Sequence, residues 1–474
     1  MSQIAAGNPN ARHSLLRRRT IAGYAIGSLG TGGFGTLPGL VLLYYMTDSL
    51  GITALAAGLV VGLAKLWDVA IDPVIGALSD RLQHRTGTRR HLMFAGALSL
   101  PVFFFLTFAV PAELTPVMSA LWVLVAFVLS TTAFSLFQVP YIALPVELSN
   151  DYDGRTRLLT WRVIVLTFAI LLFGAGGPLL RGIGDDLRIG YLVMAVVAGV
   201  VMCAGLTASS FTAPRGMPGL EPASGRILGG YRLALAALRE SAPLRSLLGA
   251  FVLQALATGI MLAAAQYVAT WVLVSEDAVT FLFLALIAPA ILVTPVWGRL
   301  ARRFGKERSY VVASAIFGVA ALSIVAVVAV PGQWIYLPVA LAGAAYAGMQ
   351  ALPLAMLPDV IAHDGRARGT ERAGVVSGVW TAGETTGMAL GATVLALVLA
   401  ATGYLESTAE VVVLAQPDSA ILGIVVAFSV VPALLIAASL AVLRGYRLRR
   451  VDIDVADSPV AAPPSTTDAT GATS

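Results

Sequence analysis

Apolar stretches long enough to cross a bilayer recur along the whole of this 474-residue chain, and no other feature constrains its fold so strongly. By length there are about twelve: 20–46, 52–79, 91–110, 116–146, 158–181, 189–211, 246–273, 278–299, 309–330, 333–358, 373–401 and 418–443. Composition agrees. The chain is 58% hydrophobic and only 12% charged, with a mean hydropathy of +0.84, which leaves too little polar surface for a water-soluble protein of this size. The expected fold is an all-α membrane protein of twelve transmembrane helices.

The basic residues orient it. All Lys and Arg except Lys65, Arg181 and Arg188 fall into seven clusters, at 12–19, 81–90, 155–162, 215–245, 299–308, 366–372 and 444–450, which lie on alternate connections. By the positive-inside rule both termini are cytoplasmic, in a multi-pass protein of the cell membrane. The opposite connections carry acids such as Asp48, Glu113, Asp277 and Glu406. The pI of about 9.4 thus reflects topology, and no nucleic-acid partner is expected. The single cysteine, Cys203, excludes an internal disulfide. Arg12–Arg19 precede a span too long for the apolar core of a signal peptide.

The second half of the chain echoes the first. PVIGALSDR at Pro73–Arg81 returns as PVWGRLARR at Pro295–Arg303, and LPVELSNDYDGR at Leu144–Arg155 returns as LPDVIAHDGR at Leu357–Arg366. Two matches at similar separation indicate two pseudo-symmetric six-helix halves, a design of secondary transporters. The expected organisation is a cytoplasmic segment 1–19, a bundle 20–211, a Pro/Gly-rich linker 212–245 with a surface helix near 231–240, a bundle 246–443, and a disordered tail within 444–474.

Within the second span, Lys65, Asp68 and Asp72 stand at i, i+3 and i+7, on one helical face and over about 10 Å of rise. Ionisable groups at membrane depth are costly and by default mark an ion or substrate path. The repeat places Ala290 and Thr294 opposite the two aspartates, so the carboxylate pair belongs to the first half only. The first span is dense in glycine, including Gly32, which fits either close helix packing or a bendable helix at a central cavity. Gln138 is a polar group in an apolar span, and Glu147 stands near Arg155 at its cytoplasmic exit. Glu384 is the one acid deep in a span of the second half, with Trp380 a turn earlier. It either faces the cavity, with Trp380 as a stacking surface, or pairs with Arg162. All four histidines lie in cytoplasmic segments, and no nucleotide-binding loop is present, so neither an enzyme nor an ATP-driven pump is expected.

These motifs resemble the major facilitator superfamily, and within it the glycoside–pentoside–hexuronide:cation symporters. The superfamily's loop signature stands here as Gly76, Asp80, Arg81, Gly87, Arg89 and Arg90. The resemblance implies a cytoplasmic gate made by these residues with Glu147, Arg155, Arg299, Arg302 and Asp359. WDVAIDP at Trp67–Pro73 is similar to the motif of the melibiose permease branch. That similarity implies a Na+ or H+ site at Asp68 and Asp72, completed by Ser135 and flanked by Lys65, with Ile71 where the family has an oxygen ligand. Gly32, Gln138 and Ile142 stand where that branch has its sugar ligands. The expected substrate cavity comprises Gly32, Gln138, Tyr141, Arg162, Trp380 and Glu384. The implied function is cation-coupled symport of a small solute such as a glycoside by alternating access, by a monomer in contact with membrane lipid and with no cofactor beyond the coupling ion. Two alternatives stay open: a transporter or exporter of amphipathic, lipid-like molecules, and a membrane receptor that transports nothing.

Overall fold

The computed structural model describes residues 18–149, 152–183, 187–215, 236, 238–275, 277–330, 332–368, 373–407, 415–446 and 448. The expected segment 1–17, most of the linker including its surface helix, and the tail beyond 448 lie outside the described residues. Twelve helices are long and apolar enough to span a membrane. They are α1 (Arg18–Asp48), α2 (Ala54–Thr86), α3 (Arg90–Phe108), α4 (Pro116–Leu148), α5 (Tyr152–Arg181), α6 (Leu187–Ser210), α7 (Ala242–Tyr267), α8 (Ala278–Phe304), α9 (Lys306–Ser323), α10 (Tyr336–Arg368), α11 (Ala373–Ala401) and a twelfth span in two pieces, α12 (Asp418–Phe428) and α13 (Val430–Leu443).

Local chemistry sets the helix ends. Thr53 and Thr115 cap α2 and α4 by accepting from Ala56 N and Met118 N, and Ser241 caps α7 by accepting from Leu244 N. The Ser241 cap starts α7 four residues before the expected position 246. α2 runs on past the apolar stretch to Gly87, whose φ of 69° is the left-handed geometry of a helix C-terminus that glycine adopts without strain. The twelfth span, read in the sequence as continuous, breaks at Ser429. Pro432 has no N–H to continue the ladder, and its ring crowds the carbonyl of Phe428 four residues earlier. α7 passes at its far end into a π-helical turn, Val268–Val272.

The two sets of six spans pack alike. α1 lies on α5 and α6, α3 on α4 and α6, and α2 on α4; correspondingly α7 lies on α11 and α13, α9 on α10 and α13, and α8 on α10. The halves touch through α1–α7, α2–α11 and α5–α8. Every cross-half hydrogen bond among the described residues lies toward one end of the molecule, here named the Asp48 end. Tyr404 Oη donates to Asp48 Oδ1 (2.6 Å), Thr47 Oγ1 bonds Tyr267 Oη (2.8 Å) and Ser407 N donates to Thr47 O (3.0 Å). Ala54 N donates to Glu406 Oε1 (3.0 Å), Thr280 Oγ1 to Ala175 O (3.1 Å) and Thr393 Oγ1 to Gly58 O (3.2 Å). Toward the opposite, basic end, the ion pairs Arg89–Asp80, Arg89–Glu147 and Lys306–Asp359 each lie within one half. The hydrogen bonds that join the halves among the described residues form a latch at the Asp48 end.

Candidate transport site and gates

α2 presents Asp72 toward α4, and Trp67 ties the two helices by donating from Nε1 to Thr132 Oγ1 at 2.9 Å. Asp68 is 6% exposed. Its Oδ2 accepts from Lys65 Nζ at 3.1 Å, while Oδ1 is buried with no partner among the described residues. Asp72, one turn further along, is exposed and reaches the hydroxyl of Ser135, itself buried on α4. The four sequence-predicted members of the cation site therefore come together. Asp68 Oδ1, the Asp72 carboxylate and the Ser135 hydroxyl form a set of hard oxygen donors suited to Na+, and the carboxylates equally suit a proton. In the second half the corresponding Thr294 is spent on its own helix, donating to Ala290 O at 2.7 Å.

The expected substrate residues divide. Gln138 keeps a buried Oε1 without a partner among the described residues. Arg162 lies over the Tyr141 ring at 5.4 Å and beside the Tyr24 phenol, and its Nε has no partner among the described residues. Glu384 contacts Gln350 on α10, with Tyr346 close by. Three expectations are corrected. Tyr141 is fully buried, stacked between Tyr24 and Phe137, with its hydroxyl donated to Tyr24 O; it is core rather than cavity wall. Trp380 is 2% exposed and stacked on Phe251 at 4.3 Å, so both faces of its ring are enclosed and none is offered to a solute. Gly32 packs α1 against α5, since a Cβ there would meet Ala169 Cβ at 2.7 Å. The Arg162–Glu384 pair is also absent, because each side chain is engaged within its own half.

A cavity of about 130 Å³ instead opens beside Gly35 and Thr36, roughly 20 Å along α1 from Asp48 by helical rise. Ile170, Thr258, Met261, Phe283, Tyr346 and Met388 line it with others, so both halves contribute and the wall is almost wholly apolar. The sequence signal for it was the glycine run of α1, of which Gly35 alone between Gly23 and Gly39 has open space where a Cβ would stand.

The profile of MFS/sugar transport proteins matches residues 23–450. The chain belongs to that family. An uncharacterized symporter of Synechocystis sp. is 25% identical over 90% of this chain and 93% of its own length. A glucuronide carrier protein homolog of Escherichia coli is 23% identical over 87% and 89%. The sphingosine-1-phosphate transporter MFSD2B of Xenopus tropicalis is 25% identical over 89% and 86%. A crystal structure of a D-xylose–proton symporter superposes with a TM-score of 0.69 at 12% identity, covering 90% of this chain and 98% of the other. These are transporters, and so is this multi-pass membrane protein.

At the transporter's basic end, Arg89 is the hub of a clamp that ties α2 to α4. It bonds Glu147 at 2.6 Å, Asp80 at 2.7 Å and Ser79 Oγ at 2.7 Å, and Gln83 donates to the same Glu147 oxygen at 2.9 Å. The loop signature thus binds elements of one half together. Gly76 gives α2 room beside α4, with Val139 the neighbour a Cβ would touch at 3.7 Å. The second half repeats the clamp: Lys306 bonds Asp359 at 2.6 Å and Ala355 O at 2.9 Å. Glu147 pairs with Arg89 and Gln83, Arg90 lies over the rings of Phe211 (4.3 Å) and Phe94 (5.1 Å), and Arg81, Arg299 and Arg302 are exposed, in no ion pair among the described residues. The Arg155 side chain lies outside the described residues. Sequence reasoning missed Ser79, Gln83 and Lys306, although Lys306 opens α9 where Arg89 immediately precedes α3.

Proposed function

We propose that this transporter is a secondary active symporter that couples Na+ or H+ at Asp68 and Asp72 to the movement of a small solute by alternating access. The observation that carries this reading is the buried, unpartnered Oδ1 of Asp68 beside Asp72 and Ser135, in a chain whose relatives include named symporters. Lys65 neutralises Asp68 and leaves Asp72 as the exchanging group. The solute binds between the halves near Gln138, Arg162 and Glu384, and the two termini face the cytoplasm of a cell-membrane monomer. A glycoside or other sugar-like solute fits the family description.

A second reading, of an amphipathic or lipid-like substrate, is favoured by the apolar wall of the cavity beside Gly35 and by the likeness to MFSD2B. Uptake of labelled sugars, glucuronides and single-chain phospholipids into proteoliposomes, under separately imposed Na+ and H+ gradients, discriminates among these substrates and ions. Asp72→Asn is expected to abolish concentrative uptake and retain part of solute exchange. Full accumulation by that variant would sink the assignment of the cation site, and no gradient-dependent uptake of any solute would sink symport.

A further inference from the structure

The acid that closes α1 belongs to the latch and to neither the cation site nor the substrate cavity. Asp48 is buried at the seam between the halves. Its Oδ1 accepts from Tyr404 of the other half at 2.6 Å, and its Oδ2 stands 2.5 Å from Thr47 Oγ1, which in turn bonds Tyr267 of the other half at 2.8 Å. Aromatic rings wall the group in: Tyr267 lies edge-on to both Tyr44 (5.1 Å) and Tyr404 (5.4 Å), and Trp271 donates to the Tyr404 hydroxyl at 2.8 Å. Among the described residues no cation lies within ion-pair distance of Asp48. The charged groups that face it are Arg181 of α5, set over the rings of Tyr44 and Tyr191 at 5.5 and 5.6 Å, and Glu406, which accepts from Ala54 N. Burial, followed by the nearby Asp48, holds the Tyr404 phenol well above its ordinary range, so Tyr404 remains an O–H donor.

We propose that Asp48 is a proton-binding site at this seam, protonated each time the Asp48 end shuts and deprotonated when it opens. A carboxylate taken out of water with no paired cation is unfavourable, whereas the neutral acid fits: its proton is given to Thr47 Oγ1, Thr47 gives its own to Tyr267 or to the Leu43 carbonyl, and Oδ1 still accepts from Tyr404. Parting the halves removes Tyr404 and Tyr267 together and exposes Asp48 to water, where the ionised form is preferred. The closed state therefore binds one more proton than the open state. Acid on that side favours closure and alkali favours opening, by up to about tenfold in the closed-to-open ratio per pH unit between the two protonation midpoints. The inference rests on alternating access and adds a proton to its latch.

The test is a distance measurement by pulsed electron paramagnetic resonance. Spin labels are placed at Val117→Cys and Asp277→Cys in a Cys203→Ala background, in lipid nanodiscs, from pH 5 to pH 9. The expected result is a short distance at acid pH that gives way to a long one at alkaline pH. Asp48→Asn should hold the short distance throughout, and Glu406→Gln should keep the wild-type dependence. Should Asp48→Asn fail to fold, Tyr404→Phe serves instead: it removes a donor from the carboxylate and moves the midpoint of opening. Two distances whose ratio ignores pH, a dependence that survives Asp48→Asn, or one lost in Glu406→Gln would each overturn the proposal. A single distance under every condition, with no second population on adding solute, would instead overturn alternating access.

Discussion

Replacing Glu147 and Asp359 separately tests whether the two related clamps carry unequal loads. In the first half, the Arg89 and Glu147 side chains are 12% and 14% exposed. Removing one partner of so enclosed an ion pair costs about 3–5 kcal/mol when nothing replaces it. Arg89 retains Asp80, but that carboxylate is 52% exposed and its attraction is weakened by water. Glu147→Gln also keeps a carbonyl acceptor, so the expected loss falls to about 2 kcal/mol. In the second half, Lys306 is 41% exposed and Asp359 18%. Asp359→Asn should cost less than about 1 kcal/mol, the range of solvated pairs. A chain of 474 residues unfolds with an entropy of about 1 kcal/mol/K, so thermal unfolding of the purified variants reads the contrast as falls of roughly 2 °C and under about 1 °C respectively. An equal or larger fall for Asp359→Asn would refute the reasoning, since it would mean that enclosure does not set the strength of these clamps.

Trp380→Ala should destabilise the protein by about 3–5 kcal/mol through the cavity left against Phe251, whereas Trp380→Phe should fold and bind solute normally; weakened solute binding by a well-folded Phe variant would restore Trp380 to the substrate site. Gly35→Leu should fill open space and lower solute affinity at least tenfold with little change in thermal stability, while Gly32→Leu should impair folding by forcing α1 from α5. Binding isotherms and unfolding curves of the two variants measure this, and identical behaviour would mean that the cavity beside Gly35 is not on the substrate path.

Much of the fold was legible because the bilayer demands long apolar segments, and their lengths survive in the sequence whatever they pack against. The break at Ser429 was equally written in Pro432 and was passed over because the apolar run continues across it. The grouping of Lys65, Asp68 and Asp72 was legible for a different reason: spacing on one helix fixes which side chains share a face, and Lys65 and Asp68, three apart, do bond. Tyr141 and Trp380 were misplaced because their helices are apolar all round, so periodicity does not separate the face turned to a neighbour from the face turned to lipid or cavity. Asp48 looked like a marker of loop polarity. Its burial depends on Tyr404, 356 residues away, and no local pattern carries such a pairing.

The placement of charge in the two kinds of contact follows from what transport requires of each. Every ion pair among the described residues lies within one half, as in the Arg89 and Lys306 clamps. Bonds that cross between halves come instead from hydroxyls and backbone amides, on Thr47, Thr280, Thr393, Tyr404, Ala54 and Ser407. A neutral hydrogen bond is worth about 0.5–1.5 kcal/mol net, and water on the opening side replaces much of it. A seam fastened by a handful of these can part when a cation or solute shifts the balance by a few kcal/mol. A seam fastened by enclosed ion pairs would not part so readily, and halves held internally by weak bonds would deform before they rocked. On this argument Asp48 is the exception that needs a device of its own, because among the described residues it is the one carboxylate bonded to a side chain of the other half, and that bond must break in every cycle; a proton that arrives on closing and leaves on opening turns a charged contact into a neutral one for as long as it is buried.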